Sequence, residues 1–243
     1  MTYGLLSDIH ANLEALQTAL EQLGSVEGYI CLGDIVGYGP NPNECVEIVR
    51  QLPNLTCVVG NHDLAAINKY DLEWFNIYAR QAIEWTARQL CSENIKFLLS
   101  LPDKQELEPF TLVHGSLPDP MEYVLSPIEA RITFFEMTTP ACLIGHTHIA
   151  EYYRQRAGGQ MVDRFSLYSG GEVRLDDGYR HLINIGSVGQ PRDGNPKASF
   201  GLWEEGSNTV SIFRARYDFR KTQNKMEAAE IPSYLIRRLV QGR

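Results

Sequence analysis

Residues 3–10 read Tyr3-Gly4-Leu5-Leu6-Ser7-Asp8-Ile9-His10, a short apolar run that closes on an acid and an imidazole two residues apart. Such a run predicts a buried strand with chemistry at its end. Leu13, Leu16, Leu20 and Leu23 then recur at helical spacing, and Gly24 ends the stretch. The unit repeats twice. Residues 26–32 predict a second strand that delivers Gly33-Asp34, and Asn43 is placed to cap a helix carrying Val46 and Val49. Residues 56–59 predict a third strand that delivers Gly60-Asn61-His62-Asp63. Strands alternating with helices imply a layered α/β fold, in which two packed sheets with helices outside bury both kinds of face.

Further along, residues 71–100 carry helical spacing, with Trp74, Tyr78, Ile83, Trp85, Leu90, Phe97 and Leu98 expected as core anchors. Strands are predicted at 110–113 and 141–144, with a helix at 128–137 between them. Both strands end in polar clusters, His114-Gly115 and Gly145-His146-Thr147-His148. Strand-like pieces at 151–156, 160–165, 172–175, 181–185, 198–203 and 210–213 follow, separated by turns. Pro232 splits helical material at 221–229 and 234–240, and the 225–238 stretch reads as solvated helix of mixed charge. No repeat or linker divides residues 1–243, so one domain is expected.

A formal net charge of -8 argues against an extended nucleic-acid surface, which needs many lysines and arginines. It leaves room for a small anionic substrate, because bound cations set the local field. Five scattered cysteines without a CxxC pair imply reduced thiols. With no signal pattern and no apolar run near the ~20 residues a bilayer requires, a cytoplasmic setting off the membrane is expected. The oligomeric state stays open.

Five of the six histidines fall in the polar clusters. Each cluster follows an apolar strand, and ligands of α/β folds gather outside the carboxyl ends of strands. Alternation along an extended segment would point Asp8 with His10, and His146 with His148, to one side. Any one of these residues alone reads as a helix cap, a turn or a structural histidine, and His181 is read that way. Seven together would lack partners other than one another or a metal. Carboxylate, imidazole and amide oxygens suit divalent ions, the set is too large for one tetrahedral zinc, and Asp34 is a natural bridge.

The series Asp8-x-His10, Gly33-Asp34, Gly60-Asn61-His62-Asp63, His114 and Gly145-His146-Thr147-His148 resembles the calcineurin-like metallophosphoesterase superfamily, most closely its compact bacterial and archaeal phosphodiesterase branch. Residues 32–39 and 184–191 are similar to that branch as well. The resemblance implies a four-layer α/β/β/α sandwich with the site at the sheet edges and two divalent metal ions. Manganese is expected, and iron, zinc, nickel, cobalt or magnesium would suit the same donors. It further implies that Asp8, His10 and His148 hold one ion, that Asn61, His114 and His146 hold the other, and that Asp34 bridges them. His62 would face the substrate, protonated, while a hydroxide shared by the ions attacks phosphorus in line.

The protein-phosphatase members carry a second Asp three residues beyond the bridging one, followed by Arg. Here Ile35-Val36-Gly37-Tyr38 follows Asp34, and no arginine closely follows His62. This favours a phosphodiester, with His62 and Asp34 as the catalytic residues. Asn12, Tyr38 and Arg192 are candidate substrate contacts. A phosphomonoesterase or protein phosphatase, a nuclease and a non-catalytic interaction scaffold are the alternatives.

Overall fold

The computed structural model describes residues 1–243. The chain runs β1 (Thr2–Leu6), α1 (Leu13–Leu23), β2 (Gly28–Cys31), α2 (Pro42–Arg50), β3 (Leu55–Cys57), α3 (Asn61–Ala66), α4 (Ile77–Gln89) and α5 (Ser92–Ser100). It continues through β4 (Lys104–Leu107), β5 (Phe110–Val113), α6 (Pro127–Glu136), β6 (Ala141–Ile144), β7 (Ala150–Arg156), β8 (Val162–Ser166) and β9 (Gly171–Arg174). The last elements are β10 (Tyr179–Ile185), β11 (Ala198–Glu204), β12 (Thr209–Ala215), α7 (Phe219–Ala228) and α8 (Ser233–Arg238).

The strands make two six-stranded mixed sheets, ordered β3-β2-β1-β11-β12-β9 and β4-β5-β6-β10-β7-β8. Within the first, β1, β2 and β3 are parallel, and within the second, β5, β6 and β10 are parallel. Period-two alternation explains why the sheets pack as layers. Leu5, Leu112, Leu143 and Ile183 belong to an apolar cluster shared by both sheets. Their chain neighbours face outward instead. Leu6 joins the cluster formed with α1, α2, α4, α5, α7 and α8, whereas Val113, Ile144 and Leu182 join Ala130 and Phe134 of α6. Three apolar seams between four layers give the α/β/β/α sandwich, and each fully buried leucine or isoleucine contributes ~1.5–3 kcal/mol to it.

Two local expectations are corrected. Helix α2 starts after Asn41 with Pro42 in its first turn, and the Asn43 side chain instead bonds the Gln89 carbonyl and the Cys91 amide. The predicted helical stretch 71–100 is a 3-10 turn followed by two helices, α4 and α5, which meet at Leu90-Cys91. Trp74, in the 3-10 turn ahead of α4, is 78% exposed and Tyr78 is exposed beside Tyr234, while Ile83, Leu90 and Leu98 reach the core as expected. No helix is long and apolar enough to cross a membrane.

Candidate active site

The parallel strands end on one edge of the sandwich, and the polar clusters start where they stop. β1 leads to Asp8 and His10, β2 to Asp34, β3 to Asn61 and His62, β5 to His114, and β6 to His146 and His148. The pairs do not converge through strand alternation. Asp8, His10, Asp34, Tyr38, His146 and His148 adopt left-handed backbone with φ between 49° and 66°. Such backbone costs an L-residue on the order of 1 kcal/mol or more and is concentrated at functional sites. Tight turns immediately past each strand fold the side chains back over the edge.

Two groups result: Asp8, His10, Asp34 and His148 lie together, as do Asp34, His114 and His146, with Asp34 in both. Each carboxylate is anchored through one oxygen and presents the other. Asp8 Oδ2 accepts from Ser7 Oγ at 2.6 Å and the His146 amide at 3.0 Å. Its Oδ1 faces His148 Nε2 at 3.2 Å and His10 Nε2 at 3.9 Å. Asp34 Oδ1 accepts from the His62 amide at 2.8 Å, and Oδ2 lies 3.6 Å from His10 Nε2 and 3.4 Å from His114 Nε2.

The imidazoles are held from behind by backbone carbonyls. His10 Nδ1 donates to Val36, His114 Nδ1 to Leu32 and His148 Nδ1 to Gln190. His146 donates through Nε2 to Met121 at 3.0 Å, which leaves Nδ1 free. A donor spent on a carbonyl fixes the tautomer and turns a lone pair inward, the arrangement typical of metal-binding histidine. The lone pairs of His10 and His148 Nε2 therefore meet at 3.0 Å. Burial lowers the titration of both rings and so favours their neutral forms. Asp8 Oδ1 and Asn61 Oδ1 are likewise buried without a hydrogen-bond partner, and Asp34 Oδ2 and His114 Nε2 have only each other, at 3.4 Å. Orphaned acceptors gathered at this density are stable only around cations. The residues fit two divalent ions.

The 184–191 segment braces this arrangement. Asn184 Nδ2 donates to the Gly145 carbonyl and to Thr147 Oγ1, and Ser187 Oγ donates to the Asp8 carbonyl. Close approach makes Gly145 irreplaceable: a Cβ there would fall 1.9 Å from Ser7 Oγ and 2.5 Å from Asp8 Oδ2. Gly145→Ala (G145A) should lower stability by ~1–3 kcal/mol and weaken metal uptake, as read by thermal melts with and without metal. A variant that melts like the wild type and binds metal equally would show that this contact is soft.

Beside the metal cluster lies a cleft of about 600 Å³ lined by Asn61, His62, His146, Tyr38, Arg192 and aromatic side chains including Trp74 and Phe75. Tyr38 and Arg192 thus line this cleft. Asn12 does not. Its side chain caps α1 and donates to the Gly189 carbonyl and Tyr217 hydroxyl, so its hydrogen-bonding capacity serves structure.

His62 is 4% exposed, its ring packed edge or tilt against Tyr38 at 4.4 Å, Phe75 at 4.9 Å and His10 at 4.8 Å. No carboxylate orients it. The neighbouring Asp63 is spent on the Val36 and Gly60 amides at 3.0 and 3.2 Å. Burial, aided by the Arg192 charge, pushes His62 down to about 4, so the ring is neutral near pH 7 rather than protonated.

The model of the calcineurin-like phosphoesterase superfamily domain matches residues 1–207. The chain belongs to that superfamily. It is 38% identical to an uncharacterized protein of Methanocaldococcus jannaschii over 98% of this chain and 97% of the relative. A metallophosphoesterase structure from Sphaerobacter thermophilus superposes with a TM-score of 0.90 at 40% identity, covering 100% of this chain and 99% of that one. A hypothetical protein of Pyrococcus horikoshii shares the fold, with a TM-score of 0.80 at 19% identity and coverage of 100% and 98%.

Several residues of this calcineurin-like site escape a reading of the sequence. Tyr123 stacks on His146 at 4.0 Å and 9°, and Met121 supplies the carbonyl behind it, both from an irregular loop with no motif. Arg238 and Tyr234 reach the cleft from α8, in the stretch expected to be solvated. Their only sequence signal was the apolar face formed by Leu235, Ile236 and Leu239, which docks the helix.

In the metal-free protein, burial opposes a charge on His114, but the Asp34 carboxylate outweighs it and raises the group to about 10. Burial lowers His10, His62, His146 and His148. The raised group contributes stability that is present below pH ~6.5 and lost as pH climbs toward 10. The lowered groups cost stability as pH falls below ~6.5, where the unfolded chain takes up protons first. Melting temperature of the metal-free protein should therefore peak near neutrality and fall on both sides. A flat profile between pH 5 and 9 would contradict the burial of these rings.

Proposed function

We propose that the protein is a phosphodiesterase that works with two divalent metal ions, manganese among those that its mixed carboxylate, imidazole and amide donors accept. The observation that carries this reading is Asp34, whose Oδ2 stands between His10 and His114 and joins the two clusters. Asp8, His10 and His148 would hold one ion with Asp34, and Asn61, His114 and His146 the other. When bound, such a pair supplies a water acidic enough to ionise near neutral pH and positive charge for the phosphoryl oxygens.

The chain's own side chains do the rest. The carbonyls behind the imidazoles keep the ligand set rigid, so little reorganisation accompanies reaction. His62, neutral and wedged between Tyr38 and Phe75, offers an N–H toward the cleft for a phosphoryl oxygen. Trp74 and Phe75 wall the cleft with apolar surface, which suits the organic arms of a diester and excludes water from them. No serine or cysteine is placed for covalent catalysis, so attack on phosphorus would be direct.

The test is hydrolysis of paired phosphodiesters and phosphomonoesters by protein stripped of metal and reloaded with single metals. Diester hydrolysis that needs about two ions per chain supports the reading. Preference for monoesters would replace phosphodiesterase by phosphomonoesterase. Two bound ions without hydrolysis of any ester would favour a non-catalytic scaffold.

A further inference from the structure

The cleft holds two cations that the metal chemistry does not use. Arg192 follows the loop that supports His148, and its guanidinium donates to Gln190 Oε1 at 3.0 Å and the Tyr38 hydroxyl at 3.2 Å while lying 5.6 Å over the Tyr38 ring. Arg238 comes from α8, lies 5.5 Å over Tyr234, and spends its Nε on the Arg243 carbonyl. The Arg192 partners are neutral side chains, Arg238 meets the main-chain oxygen of Arg243 through Nε alone, and no aspartate or glutamate side chain pairs with either guanidinium. Asp119 and Glu122 also line the cleft, but they are exposed and ion-pair with neither arginine.

Both positions are fixed in place. The Arg192 amide donates to the His148 carbonyl, and the next residue, Asp193, is clamped by both Nη atoms of buried Arg214 at 2.7 and 2.9 Å. Helix α8 is docked through Leu235 and Ile236, and the segment after it is tied to the Arg192 loop by the Gly194 amide donating to the Gly242 carbonyl. Two like charges are thus held in one half-buried cleft of a protein whose formal net charge is -8. Guanidinium groups left with free N–H forks in such a setting match phosphate oxygens in both charge and geometry.

We propose that Arg192 and Arg238 form a second anion subsite, so that the substrate carries a further phosphate besides the one placed at the metals. This rests on the phosphodiesterase reading and narrows its substrate class to esters with two phosphate groups.

The test uses metal-loaded protein and two chromogenic diesters, 4-nitrophenyl propyl phosphate and the same compound bearing a phosphonate at the end of its propyl chain. Calorimetry with propylphosphonate and propane-1,3-bisphosphonate provides a second readout that needs no turnover. The wild type should favour the compound with two anionic groups by ~10-fold or more in both kcat/KM and affinity, the scale of charge-assisted hydrogen bonds. That preference should shrink to within ~3-fold in Arg192→Gln (R192Q) and in Arg238→Gln (R238Q). It should persist in Arg237→Gln (R237Q), whose side chain is exposed and bonds Ser233. Absence of a preference in the wild type, or its survival in both R192Q and R238Q, overturns the subsite. If neither diester is hydrolysed but the calorimetric preference is present and lost in R238Q, the subsite stands and the phosphodiesterase reading falls.

Discussion

Asp34→Asn (D34N) is expected to reduce metal content from about two ions per chain to one or fewer and to lower kcat/KM by ~10³-fold or more. The reason is the position of Oδ2, 3.4 Å from His114 Nε2 and 3.6 Å from His10 Nε2, where one oxygen serves both ligand groups. An amide there carries no charge, and with Oδ1 still accepting from the His62 amide it places an N–H toward the two imidazoles. That N–H would meet the His10 lone pair, but the neutral amide no longer holds a charge on His114. Metal-free D34N should consequently melt below metal-free wild type near neutral pH, where the Asp34 carboxylate stabilises a charged His114. Ligand that binds only the folded state stabilises by ~4 kcal/mol at a thousandfold excess over Kd, so the wild type should gain far more than D34N when metal is added. Metal analysis, melts with and without metal, and ester hydrolysis check all three effects. A D34N protein that keeps two ions and stays within tenfold of wild-type activity would remove the bridge from the account.

The contrast between metal-free and metal-loaded protein follows from how the edge is built. Left-handed backbone at Asp8, His10, Asp34, His146 and His148, together with lone pairs meeting at 3.0 Å, is unfavourable for the folded chain alone. The three apolar seams and the bracing by Asn184 and Ser187 hold the edge in that state regardless. Packing thus holds the ligand edge in shape, and a cation placed among the lone pairs would offset their repulsion.

Much of this was legible in the primary structure because the informative residues follow apolar runs. Strands at 110–113 and 141–144 coincide with β5 and β6, and the polar clusters that end them do meet at one edge. What was not legible depends on backbone conformation and on distance in sequence. Period-two alternation suggested how Asp8 and His10 converge, but left-handed turns accomplish it, and although aspartate and histidine tolerate positive φ better than most residues, their identity does not say which positions adopt it. Trp74 scans as a helix anchor, yet the 3-10 turn at Leu72–Trp74 precedes α4 and leaves the indole at the cleft. Asn43 is a good cap residue, but Pro42 already occupies the first turn of α2. Arg238 lies ninety residues beyond His148, in a mixed-charge helix, and only the docking of α8 reveals where it points.

His62→Gln (H62Q) is expected to keep both metal ions and to lose turnover by ~10²–10³-fold, with KM little changed. Metal should stay because His62 belongs to neither ligand group and its backbone amide, which anchors Asp34, is untouched. Turnover should fall because the ring is the imidazole of the cleft that belongs to neither ligand group, packed against Tyr38 and Phe75. Burial pushes its titration down to about 4, which makes an imidazolium scarce at neutral pH and assigns the ring a hydrogen bond to the phosphoryl oxygen, not proton delivery. The two roles separate by leaving group. A bond to phosphoryl oxygen forms whatever departs, so H62Q should slow 4-nitrophenyl and alkyl esters by similar factors. Proton delivery matters most for an alkoxide, a far poorer leaving group than nitrophenolate. A defect confined to alkyl esters would therefore make His62 an acid and require its titration to rise when substrate binds. Loss of metal with unchanged turnover per metal-loaded molecule would make it a ligand instead and remove it from the substrate side of the site.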